Sequence, residues 1–188
     1  QGASICAIKN GESVETSMGL TPLGGIPMGT RSGDLDPSVV TYIMKKENLD
    51  ANEMENILNK ESGVYGISNV SIDFRDIEAE ALAGGKHARI ALDVYHYSIA
   101  GYIAKCAVAM GGIDVLTFTA GVGEKSPYSR GEICKRLNCL GVEIKGKLNN
   151  VKGEEVEISA PESKVKVFII PTNEELMIAR ETEKVINA

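Results

Sequence analysis

Tryptophan is missing from this chain, and histidine occurs only twice. His87 and His96 both fall within one long helical pattern. No Ser-His-Asp arrangement and no histidine-based metal cluster can be assembled from that spacing, and each reads as an ordinary helix position. Cysteine is also scarce. Cys134 and Cys139 are spaced for neither zinc nor CxxC redox chemistry, and Cys6 and Cys106 lie in apolar stretches. Reduced thiols, buried or partly exposed, in a cytoplasmic protein are the expectation. No apolar run nears the ~20 residues of a transmembrane helix. Lys and Arg are scattered and the formal net charge is −6, which excludes a general attraction to nucleic acid or an anionic membrane. The opening Gln1-Gly2-Ala3-Ser4 has no basic stretch, so no signal peptide is expected. It also lacks Met, so the expectation is a fragment or a protein whose start was removed. No GxxxxGK[ST] segment occurs, which excludes a Walker A loop.

What is present is enough apolar content, 43% of 188 residues, for one good-sized core, and residues 1–188 read as a single domain. Residues 3–8 and 13–16 alternate as two strands around the hairpin signal Lys9-Asn10-Gly11-Glu12. A glycine-dense loop spans Gly19 to Gly33, long enough to be functional. Asp36-Pro37 starts a helix carrying Val39, Val40, Ile43 and Met44, and a second helix covers Asn52 to Asn59, stopped by Glu61-Ser62-Gly63. The spacing of Ile90, Ala91, Val94, Tyr95, Ile99, Tyr102, Ile103 and Cys106 predicts a long helix over Lys86–Met110, ended by Gly111-Gly112. A buried strand over Ile113–Thr119, a tight turn at Ala120–Gly123 and a helix over Ser129–Asn138 follow. A strand over Val165–Ile170 and a helix over Glu174–Asn187 complete the pattern. Strands that repeatedly precede helices after an initial hairpin predict an α/β fold with a mixed sheet flanked by helices.

Ligands of open α/β sheets bind beyond the carboxyl ends of the strands, and three loops qualify. Thr119 to Ser126 carries glycines that let a backbone approach a phosphate or nucleoside, or that serve a tight turn with positive φ. Thr172-Asn173-Glu174-Glu175 places acids at a helix start, either for capping and the helix dipole or to hold Mg²⁺, which takes few carboxylates plus water and phosphates. Met28 to Asp34 sets Arg31 among small residues. This arrangement suits forked contact with phosphoryl oxygens, or else a pairing with Asp34 or Asp36 that pins the loop.

Taken together these segments resemble the acetate kinase family across essentially the whole chain, in order. The resemblance rests on Thr16-Ser17-Met18-Gly19-Leu20-Thr21-Pro22-Leu23, and on Met28-Gly29-Thr30-Arg31-Ser32-Gly33-Asp34-Leu35-Asp36-Pro37. It rests also on Gly2-Ala3-Ser4-Ile5, Asp73-Phe74-Arg75, Phe118 to Glu124 and Pro171 to Leu176. The resemblance implies part of a domain of the actin, sugar-kinase and heat-shock-ATPase type, which is ribonuclease H-like. It implies reversible transfer of the ATP γ-phosphoryl to acetate, giving acetyl phosphate and ADP, with Mg²⁺ or Mn²⁺, in a cytoplasmic homodimer. Arg31 would stabilise the transferring phosphoryl and Glu174 would sit at the metal. Gly2, Asp73, Phe74, Arg75, Gly121, Val122, Gly123, Glu124 and Lys125 would line the nucleotide site. Gln1 stands where the family has Asn, and Lys125 replaces an Asn common in that loop. The family's amino-terminal domain, with its catalytic His, its acetate-contacting Arg and an Asn near the metal, is not in this sequence. The expectation is therefore a carboxy-terminal nucleotide-binding half, inactive alone. A propionate or butyrate kinase, or a non-catalytic nucleotide-binding or dimerisation module, are the alternatives.

Overall fold

The computed structural model describes residues 2–187, so Gln1 lies outside the described residues. Strands β1 (Cys6–Lys9) and β2 (Glu12–Thr16) pair antiparallel across an Asn10-Gly11 turn, with Cys6 opposite Thr16 and Lys9 opposite Glu12. Both turn residues have positive φ, 56° and 85°, the backbone that twists with its flanking strands. The following loop holds no regular element until Asp36, yet Ile26 and Met28 are buried within it. Asp36 caps α1 (Pro37–Glu47), accepting from Ser38 N, and Asp50 with Glu53 forms a reciprocal capping box on α2 (Ala51–Lys60).

Two helices appear that periodicity had not marked, α3 (Gly63–Ser68) and α4 (Phe74–Leu82). The second helix stops at Glu61-Ser62-Gly63 as expected. Glu61 ends α2, and Gly63 opens α3. Both new helices are short, and α4 buries only Ile77 and Ala81, so their pattern is weak beside that of their neighbour. That neighbour, α5, runs Lys86–Met110, with Gly111 in the left-handed conformation at its end.

The second half is a three-stranded mixed sheet in the order β3, β5, β4. Strand β3 (Val115–Phe118) is parallel to β5 (Lys166–Ile169), and β4 (Val156–Glu157) is antiparallel to β5. Helices α6 (Ala120–Lys125) and α7 (Pro127–Arg136) follow β3, with a 3-10 turn at Asn138–Leu140, and α8 (Glu174–Ile186) follows β5. The expected buried strand is buried on one face only: Leu116 and Phe118 point inward, while Val115 is 52% exposed. A single apolar core joins α5, through Ala91, Leu92, Tyr95, Ile99 and Ile103, to Phe118, Ile133, Val167 and Ile169. Each fully buried large aliphatic side chain of this kind contributes about 1.5–3 kcal/mol. Helices α1 and α8 fully bury no residue: Val40, Ile43 and Met44 of α1 are half-buried, while the apolar residues of α8 are exposed.

Candidate functional site

Parallel pairing of β3 with β5 brings the loops after both strands to one edge, and Ile170 N donates to Phe118 O at 2.9 Å. Thr119 Oγ1 lies 3.0 Å from Thr172 Oγ1. One oxygen of buried Glu124 accepts from Ala120 N (2.6 Å), Thr172 N (2.8 Å) and the Thr172 hydroxyl (3.2 Å), so a single carboxylate joins the two loops. Burial opposes ionisation of that carboxyl, but these donors outweigh it and hold its pKa below the ordinary value. The expected tight turn is a short helix broken at its start: Ala120 has φ 53°, and Gly121 has φ 21° and ψ −110°. A Cβ at 121 would meet nothing within 4 Å, so glycine there serves backbone conformation and not space. Gly121 and Lys125 are exposed, while Val122 and Gly123 are half-buried.

Asn173 alone caps α8, accepting from Leu176 N at 3.1 Å. The capping-box reading of Glu174 therefore fails, because Leu176 occupies the position whose side chain would reach back. Glu174 is left exposed in the first turn of α8, just after Thr172 in the chain. It fits the single protein carboxylate of a Mg²⁺ that otherwise takes water and phosphate oxygens. Among the described residues no group of three His, Cys, Asp or Glu gathers around a metal position.

Asp73 caps α4, accepting from Arg75 N at 2.9 Å, and its carboxylate receives Arg75 Nε at 3.0 and 3.1 Å. The Arg75 side chain, then its backbone N–H, draws the Asp73 pKa down to about 2. Phe74 packs on Tyr95 with ring centroids 4.6 Å apart. One turn further, Glu78 accepts from the hydroxyls of Ser126 and Ser129, the latter at 2.9 Å, and so ties α4 to the end of the glycine loop.

Arg31 forms a second group with Gly2, where an added Cβ would lie 3.0 Å from Arg31 Nη1. Neither flanking acid pairs with the guanidinium. Asp34 accepts from Gly25 N at 2.7 Å and from the Tyr102 hydroxyl, and Asp36 caps α1. A pairing of Arg31 with Asp34 or Asp36 is thereby absent, and the guanidinium reaches its own loop only at Pro22 O, 3.4 Å, and Met28 Sδ, 3.7 Å. Backbone bonds hold the loop instead: Ser62 N to Thr30 O, Val64 N to Met28 O and Tyr65 N to Gly29 O, at 2.9 to 3.0 Å. A groove of about 620 Å³ opens beside Arg31, lined also by Asn52, Glu55, Asn56 and Lys60.

Two buried groups carried no sequence signal. Arg130, fully buried, spreads its guanidinium beneath the glycine loop. His96, also fully buried, sets Nε2 3.0 Å from Ser129 Oγ and leaves Nδ1 without a partner among the described residues. Burial pushes the His96 pKa from 6.5 down to about 4, with Arg136 adding to the shift and Glu132 and Asp93 opposing it. The folded state thus takes up this proton less readily than the unfolded chain. Stability from a neutral His96 is fully present above about pH 6.5 and is lost as pH falls toward 4, by roughly 3 kcal/mol. Urea midpoints measured against pH are expected to fall across that window, with the His96→Gln variant losing that part of the slope. An unchanged slope in the variant would assign the effect to other groups.

A model of the acetokinase family matches residues 1–180. The chain belongs to the acetokinase family. It is 60% identical over 187 residues to an acetate kinase of Thermosipho melanesiensis, covering 98% of the chain and 46% of that protein. A crystal structure of Porphyromonas gingivalis acetate kinase matches with TM-score 0.94 at 46% identity, covering 98% of the chain and 47% of the other. A propionate kinase from Francisella tularensis matches with TM-score 0.90 at 39% identity, covering 96% and 46%. The chain spans about half the length of the relatives it matches. Its α/β fold is that of these kinases, and no helix among its described residues is long and apolar enough to cross a membrane.

Proposed function

We propose that residues 1–188 are the carboxy-terminal nucleotide-binding half of an acetate kinase, which passes the γ-phosphoryl of ATP to acetate and back. Family membership together with the joined loops at the carboxyl edge of β3 and β5 carries this reading. The nucleotide lies against Gly2, Asp73 to Arg75 and Gly121 to Lys125. Arg31 neutralises charge that develops on the transferring phosphoryl. A Mg²⁺ or Mn²⁺ held by Glu174 would supply charge neutralisation at the phosphate oxygens. Phosphoryl transfer asks mainly for such positioning and electrostatics. In a full-length protein carrying this sequence, hydroxamate trapping with acetate, propionate and butyrate is expected to favour acetate, and a preference for butyrate would overturn the assignment. A propionate kinase is the second reading, supported by the likeness to the Francisella tularensis propionate kinase. The 188 residues alone are expected to bind MgADP without turnover, since catalytic groups act as a unit.

Glu174→Ala in the same protein is expected to raise the Mg²⁺ concentration needed for half-maximal rate with the melting temperature nearly unchanged, because Asn173 does the capping. A melting temperature lowered with unaltered Mg²⁺ dependence would return Glu174 to a helix-dipole role. A cytoplasmic homodimer completes the proposal. Unpaired thiols fit that compartment, and exposed Ile90, Val94 and Tyr97 on one face of α5 fit self-association, to be read by sedimentation velocity.

A further inference from the structure

Arg130 comes from the first turns of α7 and is fully buried, yet every acceptor it meets is neutral. Nε donates to Asn149 Oδ1 at 2.8 Å. Nη1 donates to the carbonyls of Gly123 and Glu124 at 2.8 and 2.9 Å. Nη2 donates to the carbonyls of Asn149 and Val151, both at 2.8 Å. All the guanidinium N–H groups are thus matched with no carboxylate among their partners. Burying a charge in this way is unfavourable compared with an apolar side chain of similar volume, so its presence needs a reason beyond filling space. The planar fork supplies one, because it reaches two separate segments at once in a geometry that Lys cannot reproduce.

One of those segments is the end of the glycine loop. At the loop's other end Glu124 holds Ala120 N from inside at 2.6 Å. Between these two anchors sits the strained turn, with Ala120 at φ 53° and Gly121 at φ 21°, ψ −110°. Such backbone persists only where its surroundings over-determine it, and it concentrates at ligand sites. The second segment is itself fastened: Asn149 Nδ2 donates to Pro127 O at 2.7 Å, and Gly153 N donates to Glu124 O at 3.3 Å.

We infer that Arg130 is a positioning residue for the adenine nucleotide, holding the Gly121–Lys125 loop in its binding shape from beneath without touching the ligand. This rests on the reading of that loop as part of the nucleotide site. The test is Arg130→Lys in a full-length protein carrying this sequence, with MgADP calorimetry, steady-state kinetics and amide hydrogen exchange. The Kd for MgADP and the KM for ATP are expected to rise about tenfold or more, with the KM for acetate unchanged. Exchange at residues 121–126 is expected to quicken while the β3 and β5 amides keep their protection. If Arg130→Lys does not fold, Asn149→Ala, which removes one Arg130 acceptor and the tie to Pro127, is read in the same way. Added guanidinium ion is expected to restore part of the affinity of Arg130→Ala. A folded variant whose nucleotide affinity and loop exchange both match the wild type would overturn the inference and leave the nucleotide reading standing. Absence of MgADP binding by the wild-type protein itself would remove both.

Discussion

Replacing Arg31 by alanine in a full-length protein carrying this sequence is expected to lower kcat by about 10²–10³-fold while MgATP binding changes little. The guanidinium makes only long contacts with its own loop, 3.4 Å to Pro22 O and 3.7 Å to Met28 Sδ. The acids on either side are engaged elsewhere, Asp34 with Gly25 N and Tyr102, Asp36 with Ser38 N. Its charge is therefore available to a ligand, and its backbone is fixed by the bonds from Ser62, Val64 and Tyr65. An Arg whose backbone is fixed and whose guanidinium has no carboxylate partner among the described residues is preorganised for charge that forms in the transition state. Removing it is expected to leave the melting temperature nearly unchanged. A change confined to KM, or a large loss of stability, would show that Arg31 serves the loop and not the reaction.

Gly63→Ala is expected to do the opposite, damaging stability and activity together. Gly63 has φ +60°, and an added Cβ would lie 2.2 Å from Met28 O and 2.7 Å from Arg31 O. Both atoms are backbone, so no side-chain rotation relieves the clash. The left-handed conformation alone costs a side-chain-bearing residue about 1–2 kcal/mol, and overpacking adds about 1–3 kcal/mol. For a chain of this size the melting temperature is expected to fall by about 5–15 °C. Because α3 would have to withdraw from Met28 and Arg31, kcat of the folded fraction is expected to fall as well. Circular dichroism melts beside the hydroxamate assay measure both, and a variant with wild-type values in each would show that the loop tolerates displacement.

Elements and family were legible in the chain because their signals are local. Asn10-Gly11 sets its hairpin by backbone preference, and Asp36-Pro37 sets a helix start. The apolar spacing in α5 predicts its span, Lys86–Met110, as the structure has it. The short helices α3 and α4 stayed hidden because so few turns hold too little periodic pattern to read. Within the candidate site, residue types and order marked Arg31, Glu124 and Glu174 but not the duty of each. That duty is a matter of partners distant in sequence. Glu124 turns inward because Thr172 N arrives 48 positions later to share its oxygen with Ala120. Arg31 has no carboxylate partner among the described residues because Tyr102 and Gly25 occupy Asp34. Glu174 is relieved of capping because Asn173 satisfies Leu176 N. His96 reads from the sequence as an ordinary helix position and Arg130 carries no mark there, and only the packing of α7 against α5, α6 and residues 149–151 encloses them. A side chain's type and neighbours in sequence determine what it can bond to. Which of those bonds forms is decided by the groups that folding brings within about 3 Å, and that competition exists only in three dimensions.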